Sequence, residues 1–186
     1  MRKLEEPPGE ALYPVPVILV SVLDRKANRA NIITIAWCGI AASNPPLVSI
    51  SIRPSRHSHK LITAEREFVI NIPSKDILKK ADLCGLVSGR DTDKFKRCGF
   101  TPIKSSKISS PMIKECPVNI ECVLKDTLKL GSHDMFIGEV LAVHKDEAVL
   151  DPDGKMDYKK AKPFVFNQGE YWDLGLEIGY YGCSSK

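Results

Sequence analysis

The residues best suited to chemistry fall in one block. Between Ser51 and Lys60 the chain places Arg53, Arg56, His57, His59 and Lys60 among Ser51, Ser55 and Ser58. Arginine offers phosphate oxygens a planar, permanently charged fork, and serine hydroxyls can donate beside it. The block sits where a strand gives way to a helix, and the first amides of a helix favour an anion further. One reading is a phosphate cradle and the other is a solvated polar loop; composition leaves both open.

Other chemistries are narrowed by what the sequence does not spell. The six cysteines, Cys38, Cys84, Cys98, Cys116, Cys122 and Cys183, form no C-x-x-C pair, so neither a zinc ribbon nor a thioredoxin motif is written. Only His57 and His59 of the four histidines lie near each other, and no cysteine or acid accompanies them, so no metal site is expected. There is no G-x-G-x-x-G, no Walker lysine loop and no H-E-x-x-H. The net charge of +4 is too small for wholesale nucleic-acid binding, and no aromatic side chain interleaves with the basic block. Cys122 falls on the apolar phase of its segment and reads as a buried small hydrophobe, whereas Cys183 sits in a polar tail and reads as exposed.

The elements that must position these residues are mostly strands. Tyr13 to Leu23 and Asn31 to Trp37 are rich in β-branched residues and flank a short polar turn, which reads as a hairpin. After the turn Ser43-Asn44-Pro45-Pro46, the run Leu47 to Ile52 puts Ser49 and Ser51 on one face and Val48, Ile50 and Ile52 on the other. A short helix follows the basic block, and Phe68 to Ile72 is a strand closed by Pro73. Lys75 to Val87 has helical spacing with Ser74 as N-cap, and Thr92 to Gly99 reads as a helical piece stopped by glycine, with Phe95 a core anchor. A polar linker, Lys104 to Ser110, precedes a strand from Val118 to Lys125 and its partner from Met135 to Val143. Six aromatic residues, Phe164, Phe166, Tyr171, Trp172, Tyr180 and Tyr181, predict a docked C-terminal segment.

Successive strands without regular intervening helices predict a mainly β architecture, an antiparallel barrel or sandwich with two or three short helices. The 186 residues, 43% hydrophobic and 27% charged, predict one domain over 1–186, with 1–12 as an N-terminal arm and 176–186 as a C-terminal tail. The first eight residues have no apolar run of the signal-peptide kind, and Val15 to Val20 falls well short of the roughly 20 residues of a membrane span. A cytoplasmic protein with reduced thiols and no membrane or nucleic-acid partner is expected.

Taken in order, Pro16 to Ser21, Asn31 to Trp37, Asn44-Pro45-Pro46-Leu47-Val48, Arg56-His57-Ser58 and Phe68 to Asn71 resemble the flavin reductase-like family. The flavoredoxin and archaeal ferric reductase branch looks nearest. Asp93-Lys94-Phe95, Gly131-Ser132-His133 and Gly138-Glu139-Val140 extend the resemblance from about Pro14 to Gly175, although Ser132 stands at a position that is usually acidic. The resemblance implies a split β-barrel of Greek-key type that binds FMN non-covalently near a homodimer interface. It implies that Asn31, Thr34, Ala36, Trp37 and Cys38 lie along the isoalloxazine and ribityl chain. It further implies that Ser51, Arg53, Arg56, His57 and Ser58 hold the phosphate, that Lys94 approaches the cofactor, and that His133 stands on the nicotinamide side as the catalytic candidate. On residue type alone, Asn31 reads equally as a turn residue, Trp37 as a core aromatic and His133 as a surface turn residue. The implied activity passes electrons from NADH, NADPH or another donor through FMN to free flavin, ferric iron or a protein partner. The alternative is a non-catalytic FMN-binding or electron-carrier module.

Overall fold

The β-branched runs become strands and the turn-forming residues end them. The computed structural model describes residues 1–185. β1 (Val15–Pro16), β2 (Ile18–Asp24) and β3 (Arg29–Ile35) are followed by β4 (Cys38–Ser43) and β5 (Pro46–Ile52). Next come α1 (His57–Glu65), β6 (Glu67–Ile72), a 3₁₀ turn at Lys75–Ile77, α2 (Leu78–Leu86) and α3 (Lys94–Cys98). β7 (Pro102–Ile103), β8 (Met112–Ile113), β9 (Val118–Lys129) and β10 (Asp134–Lys145) lead through a 3₁₀ turn at Glu147–Val149 to α4 (Tyr158–Ala161), β11 (Phe164–Asn167) and β12 (Glu170–Asp173).

Seven strands form one antiparallel sheet in the order β3-β2-β6-β9-β10-β5-β4. The sheet wraps around a core to which Val20, Ile33, Ile50, Phe68, Cys122 and Phe136 contribute from six different strands, with Leu61 and Ile62 of α1 closing one end. The fold is a split β-barrel, mainly β with a few short helices, as expected. Gly138 is required where β10 shifts register against β9, because a Cβ there would stand 2.6 Å from Cζ of the buried Phe68 ring.

A second core lies outside the barrel. Leu19 and Ile32 point away from the first core and are covered by Ala81 and Cys84 of α2, Phe95 and Cys98 of α3, and Phe164 of β11. Alternate residues of β2 and β3 therefore serve two cores, which explains the unbroken apolar runs Ile18–Val20 and Ile32–Ile33 in place of strict alternation. β1, β11 and β12 form a small sheet beside this layer.

The polar linker before β8 is irregular but heavily anchored. The N–H groups of Ser106, Lys107 and Ile108 donate to the Glu121 carboxylate, and those of Ser109 and Ser110 donate to Glu67. Glu121 is fully buried and also meets His144 Nε2 at 2.6 Å. Burial would raise its pKa, but the Ser106 and Lys107 amides, the Ser106 hydroxyl and His144 overcome that and hold it down at about 2.

Several expectations need correction. β4 was not anticipated, and β9 and β10 run beyond the predicted ends. The first turn of the predicted Lys75 helix is 3₁₀, with the Ser74 hydroxyl accepting from the Asp76 N–H. Only part of the C-terminal aromatic set docks: Phe164 is buried and packs edge-on against Tyr171, whereas Trp172, Tyr180 and Tyr181 are exposed. No helix is long and apolar enough to cross a membrane among the described residues.

Candidate functional site

The turn from β5 into α1 sets the polarity of the site. Pro54 and the polar residues around it end the strand, and α1 begins at His57 with Arg56 as its N-cap residue. Arginine carries no side-chain acceptor for the first-turn amides, and no side-chain cap is formed. This uncapped, dipole-positive end faces a cavity of about 520 Å³ lined by Arg53, Ser55, Arg56, His57, Ser58 and Lys94. The opposite wall is the segment after α2, contributing Val87, Ser88 and Gly89.

A second cavity of about 320 Å³ adjoins it, sharing Ile33, Arg53, Arg56 and Gly85. Little more than half of its wall is apolar, from residues that include Val17, Ile33, Ile35, Ala36, Trp37 and Phe166. Polar groups interrupt them at Thr34, Ser51, Asp82, Tyr171 and His133. Trp37 is 39% exposed, and its indole lies parallel to the His133 imidazole, with an interplanar angle of 4° and ring centroids 6.3 Å apart. Its placement at the cavity mouth excludes the core-aromatic alternative. His133 Nδ1 meets Ser132 Oγ at 2.9 Å.

The electrostatics are one-sided. Arg53 and Arg56 form no ion pair among the described residues. Partial burial and the Arg53 charge push the His133 pKa below the ordinary imidazole value. Burial does the same for His57, with Asp24 opposing and Arg90, Arg29 and Lys94 reinforcing. Both rings are therefore biased toward the neutral form at neutral pH.

The structure gathers most of the expected site residues. Thr34, Ala36, Trp37, Ser51 and His133 line the smaller cavity, His57, Ser58 and Lys94 line the basic one, and Arg53 and Arg56 line both. Thr34 has its hydroxyl committed to the Ala81 carbonyl. Asn31 and Cys38 line neither cavity. Asn31 is buried behind Ser58, donating from Nδ2 to its hydroxyl at 2.7 Å, while its Oδ1 is buried without a partner and closes against Gly89. Cys38 turns instead toward the Pro16 carbonyl, and burial pushes its thiol up to about 12. Lys94 is only 3% exposed: its ammonium donates to the carbonyls of Ile32 and Cys84 and so straps α3 to β3 and α2. Burial first, then the Arg56 charge, lowers its pKa to about 8 against the raising influence of Cys84.

Sequence reasoning missed the walls supplied from a distance. Gly85, Ser88 and Gly89 come from the end of α2 and the segment after it, and Glu10 comes from the N-terminal arm. Tyr171 donates to Asp82 Oδ1 at 2.8 Å, joining β12 to α2 at the rim. Only the glycine and serine between two helical segments offered a signal, and a generic one.

The family model of the flavin reductase like domain matches residues 11–175. A flavoredoxin of Desulfovibrio vulgaris (Miyazaki F) superposes with a TM-score of 0.90 at 34% identity, over 98% of this chain and 100% of that one. A flavoredoxin from Methanosarcina acetivorans gives 0.90 at 30% identity, covering 100% of both chains. An FMN-binding protein from Thermus thermophilus gives 0.80 at 25% identity, over 97% of this chain and 98% of that one. With its split barrel and a family match across nearly its whole length, the chain belongs to the flavin reductase-like family.

Proposed function

We propose that the paired cavities bind FMN non-covalently and that the protein is an FMN-dependent oxidoreductase. The observation that carries this reading is the junction of the two cavities. A slot with an apolar flank of Val17, Ile33, Ile35, Trp37 and Phe166 and a polar flank of Thr34, Ser51 and His133 shares walls with a basic pocket built on an uncapped helix N-terminus, matching a planar polar-edged ring linked to a phosphate. The residues present fit such a group, since Arg53 and Arg56 have no carboxylate to neutralise them among the described residues. The FMN-binding neighbour from Thermus thermophilus supports the choice of flavin.

When bound, FMN would supply the redox chemistry that links a donor, NADH, NADPH or another, to an acceptor such as free flavin, ferric iron or a protein. The chain does the positioning. Arg53 and Arg56 hold the phosphate with the first-turn amides of α1, helped by His57 and Ser58, while Ser51 faces the ligand from the adjoining cavity. Lys94 adds positive charge from beneath while bracing the wall, and Asn31 acts indirectly by fixing the Ser58 hydroxyl. Thr34, Ala36 and Trp37 line the ring slot, with His133 beside Trp37 on the side where a donor approaches.

The protein works as a homodimer in this reading, supported by unpartnered apolar residues on and near the sheet edge: Ile40 of β4, 86% exposed, and Leu141 and Val143 of β10. The flavoredoxin neighbours favour a second reading, an electron carrier serving a redox partner protein. Titration of the purified protein with FMN, followed by anaerobic addition of NADH or NADPH, separates the outcomes. Stoichiometric binding with bleaching of the flavin absorbance supports the oxidoreductase. Binding without donor-dependent bleaching supports the carrier, and no FMN uptake overturns both.

A further inference from the structure

Two thiols outside the cavities face each other in the second core. Cys84 lies in the last turn of α2 and Cys98 ends α3; their Sγ atoms are 3.6 Å apart, and the residues are 0% and 5% exposed. The chain between them carries Val87, Ser88, Gly89 and Lys94, which wall the basic cavity, and the Lys94 ammonium donates to the Cys84 carbonyl itself. We propose that Cys84 and Cys98 are a dithiol that closes to a disulfide under hydroperoxide stress, pinning both ends of the 85–97 segment. This inference stands independently of the flavin reading.

The gap between the sulfurs is short. A disulfide needs sulfurs about 2.05 Å apart, so each must advance by less than about 1 Å from its present position. The reaction is written with a hydroperoxide as oxidant. The Cys98 sulfur, the more exposed of the two, attacks the peroxide oxygen; the O–O bond breaks, one water leaves, and a sulfenic acid remains. The Cys84 sulfur then attacks that sulfur, the S–S bond forms, and the hydroxyl leaves with the Cys84 proton as a second water. Two thiols lose two electrons and one hydrogen peroxide gains them. Burial raises the pKa of the Cys84 thiol, so the closure is slow and favours a small oxidant over a bulky one.

Cys116 is the internal control: it is buried in the same core and near enough for Cys84 to help raise its pKa, but the short sulfur–sulfur approach is between Cys84 and Cys98. The test treats the native full-length protein with hydrogen peroxide, blocks free thiols by alkylation, and maps peptides after unfolding without reductant. The expected result is one cross-linked peptide pair joining Cys84 to Cys98, with four of the six thiols still free. Amide hydrogen exchange in 85–97 slows, and reductant reverses the change. Cys98→Ser abolishes the cross-link and Cys116→Ser retains it; if either variant fails to fold, the wild-type peptide map decides alone. Six persistent thiols, a bridge to Cys116, or a sulfinic acid on an unbridged Cys98 overturns the proposal.

Discussion

Replacing Arg56 with alanine tests the phosphate assignment at the residue that links both cavities. Its guanidinium has no carboxylate partner and no recorded side-chain hydrogen bond among the described residues, so its loss should leave the fold within roughly 0.5 kcal/mol of wild type. A hydrogen bond to a charged group contributes roughly 1.5–3 kcal/mol. Arg56 is solvent-exposed and Arg53 remains beside it, which places the loss in the lower half of that range, about 1.5–2 kcal/mol. At 1.4 kcal/mol per factor of ten, the FMN Kd should rise about 10- to 30-fold. Quenching of FMN fluorescence during titration measures it, repeated at low and high salt. The wild type should lose affinity more steeply with salt than Arg56→Ala does. Equal affinities for the two proteins, or a variant whose melting temperature has collapsed, would refute the reasoning that Arg56 acts on the ligand alone.

Gly89→Ala should both destabilise the fold and weaken FMN, because the new Cβ would stand 1.8 Å from Asn31 Oδ1 and force that amide off Ser58; about 1–3 kcal/mol is expected from melting curves. Adding Asn31→Ala should recover part of the loss, and strict additivity in that cycle would show that the two residues do not meet. Lys94→Met removes the donor from two carbonyls and should cost roughly 1–3 kcal/mol in denaturant unfolding; an unchanged midpoint would remove Lys94 as a strut. Glu121 has its folded pKa depressed to about 2 from 4.5, so its contribution, on the order of 3 kcal/mol, is complete above pH 4.5 and is lost as pH falls toward 2. Glu121→Gln should flatten the fall in melting temperature between pH 5 and 2, and an unaltered profile would place the acid sensitivity elsewhere.

The barrel was readable where local sequence and tertiary demand agree. β3, β5 and β6 are apolar-rich runs that appear within a few residues of their predicted limits, whereas the predicted Tyr13 to Leu23 strand is divided, Val15–Pro16 pairing with β11 and Ile18–Asp24 entering the barrel. β4 was not readable because Cys38-Gly39-Ile40-Ala41-Ala42-Ser43 has weak strand propensity and little burial; it exists through pairing with β5. The ends of β9 and β10 escaped notice for the same reason, since Lys129 is held by its register opposite Asp134. The basic half of the site was legible because it is contiguous, Ser51 to Ser58. Its facing wall was not, because Gly89 meets Asn31 only once α2 packs on β3. Trp37 and Cys38 differ by one position, yet only the first lines the ring slot. Lys94 is expected from the resemblance to approach the cofactor, but its burial and its two carbonyl partners are visible only in the folded chain.

The linker hung on Glu67 and Glu121 constrains how this chain can vary. Five successive residues, Ser106 to Ser110, present main-chain donors to two fixed carboxylates, and any residue but proline offers the same donor. At the exposed positions Ser106, Lys107 and Ser109 substitution should be close to neutral, with the Ser106 hydroxyl a secondary contact. Deleting one residue is a different event, because it moves every downstream amide out of step with the carboxylate that receives it. The segment thus specifies its length strictly and its letters loosely, and a buried glutamate on each of two neighbouring strands enforces that count.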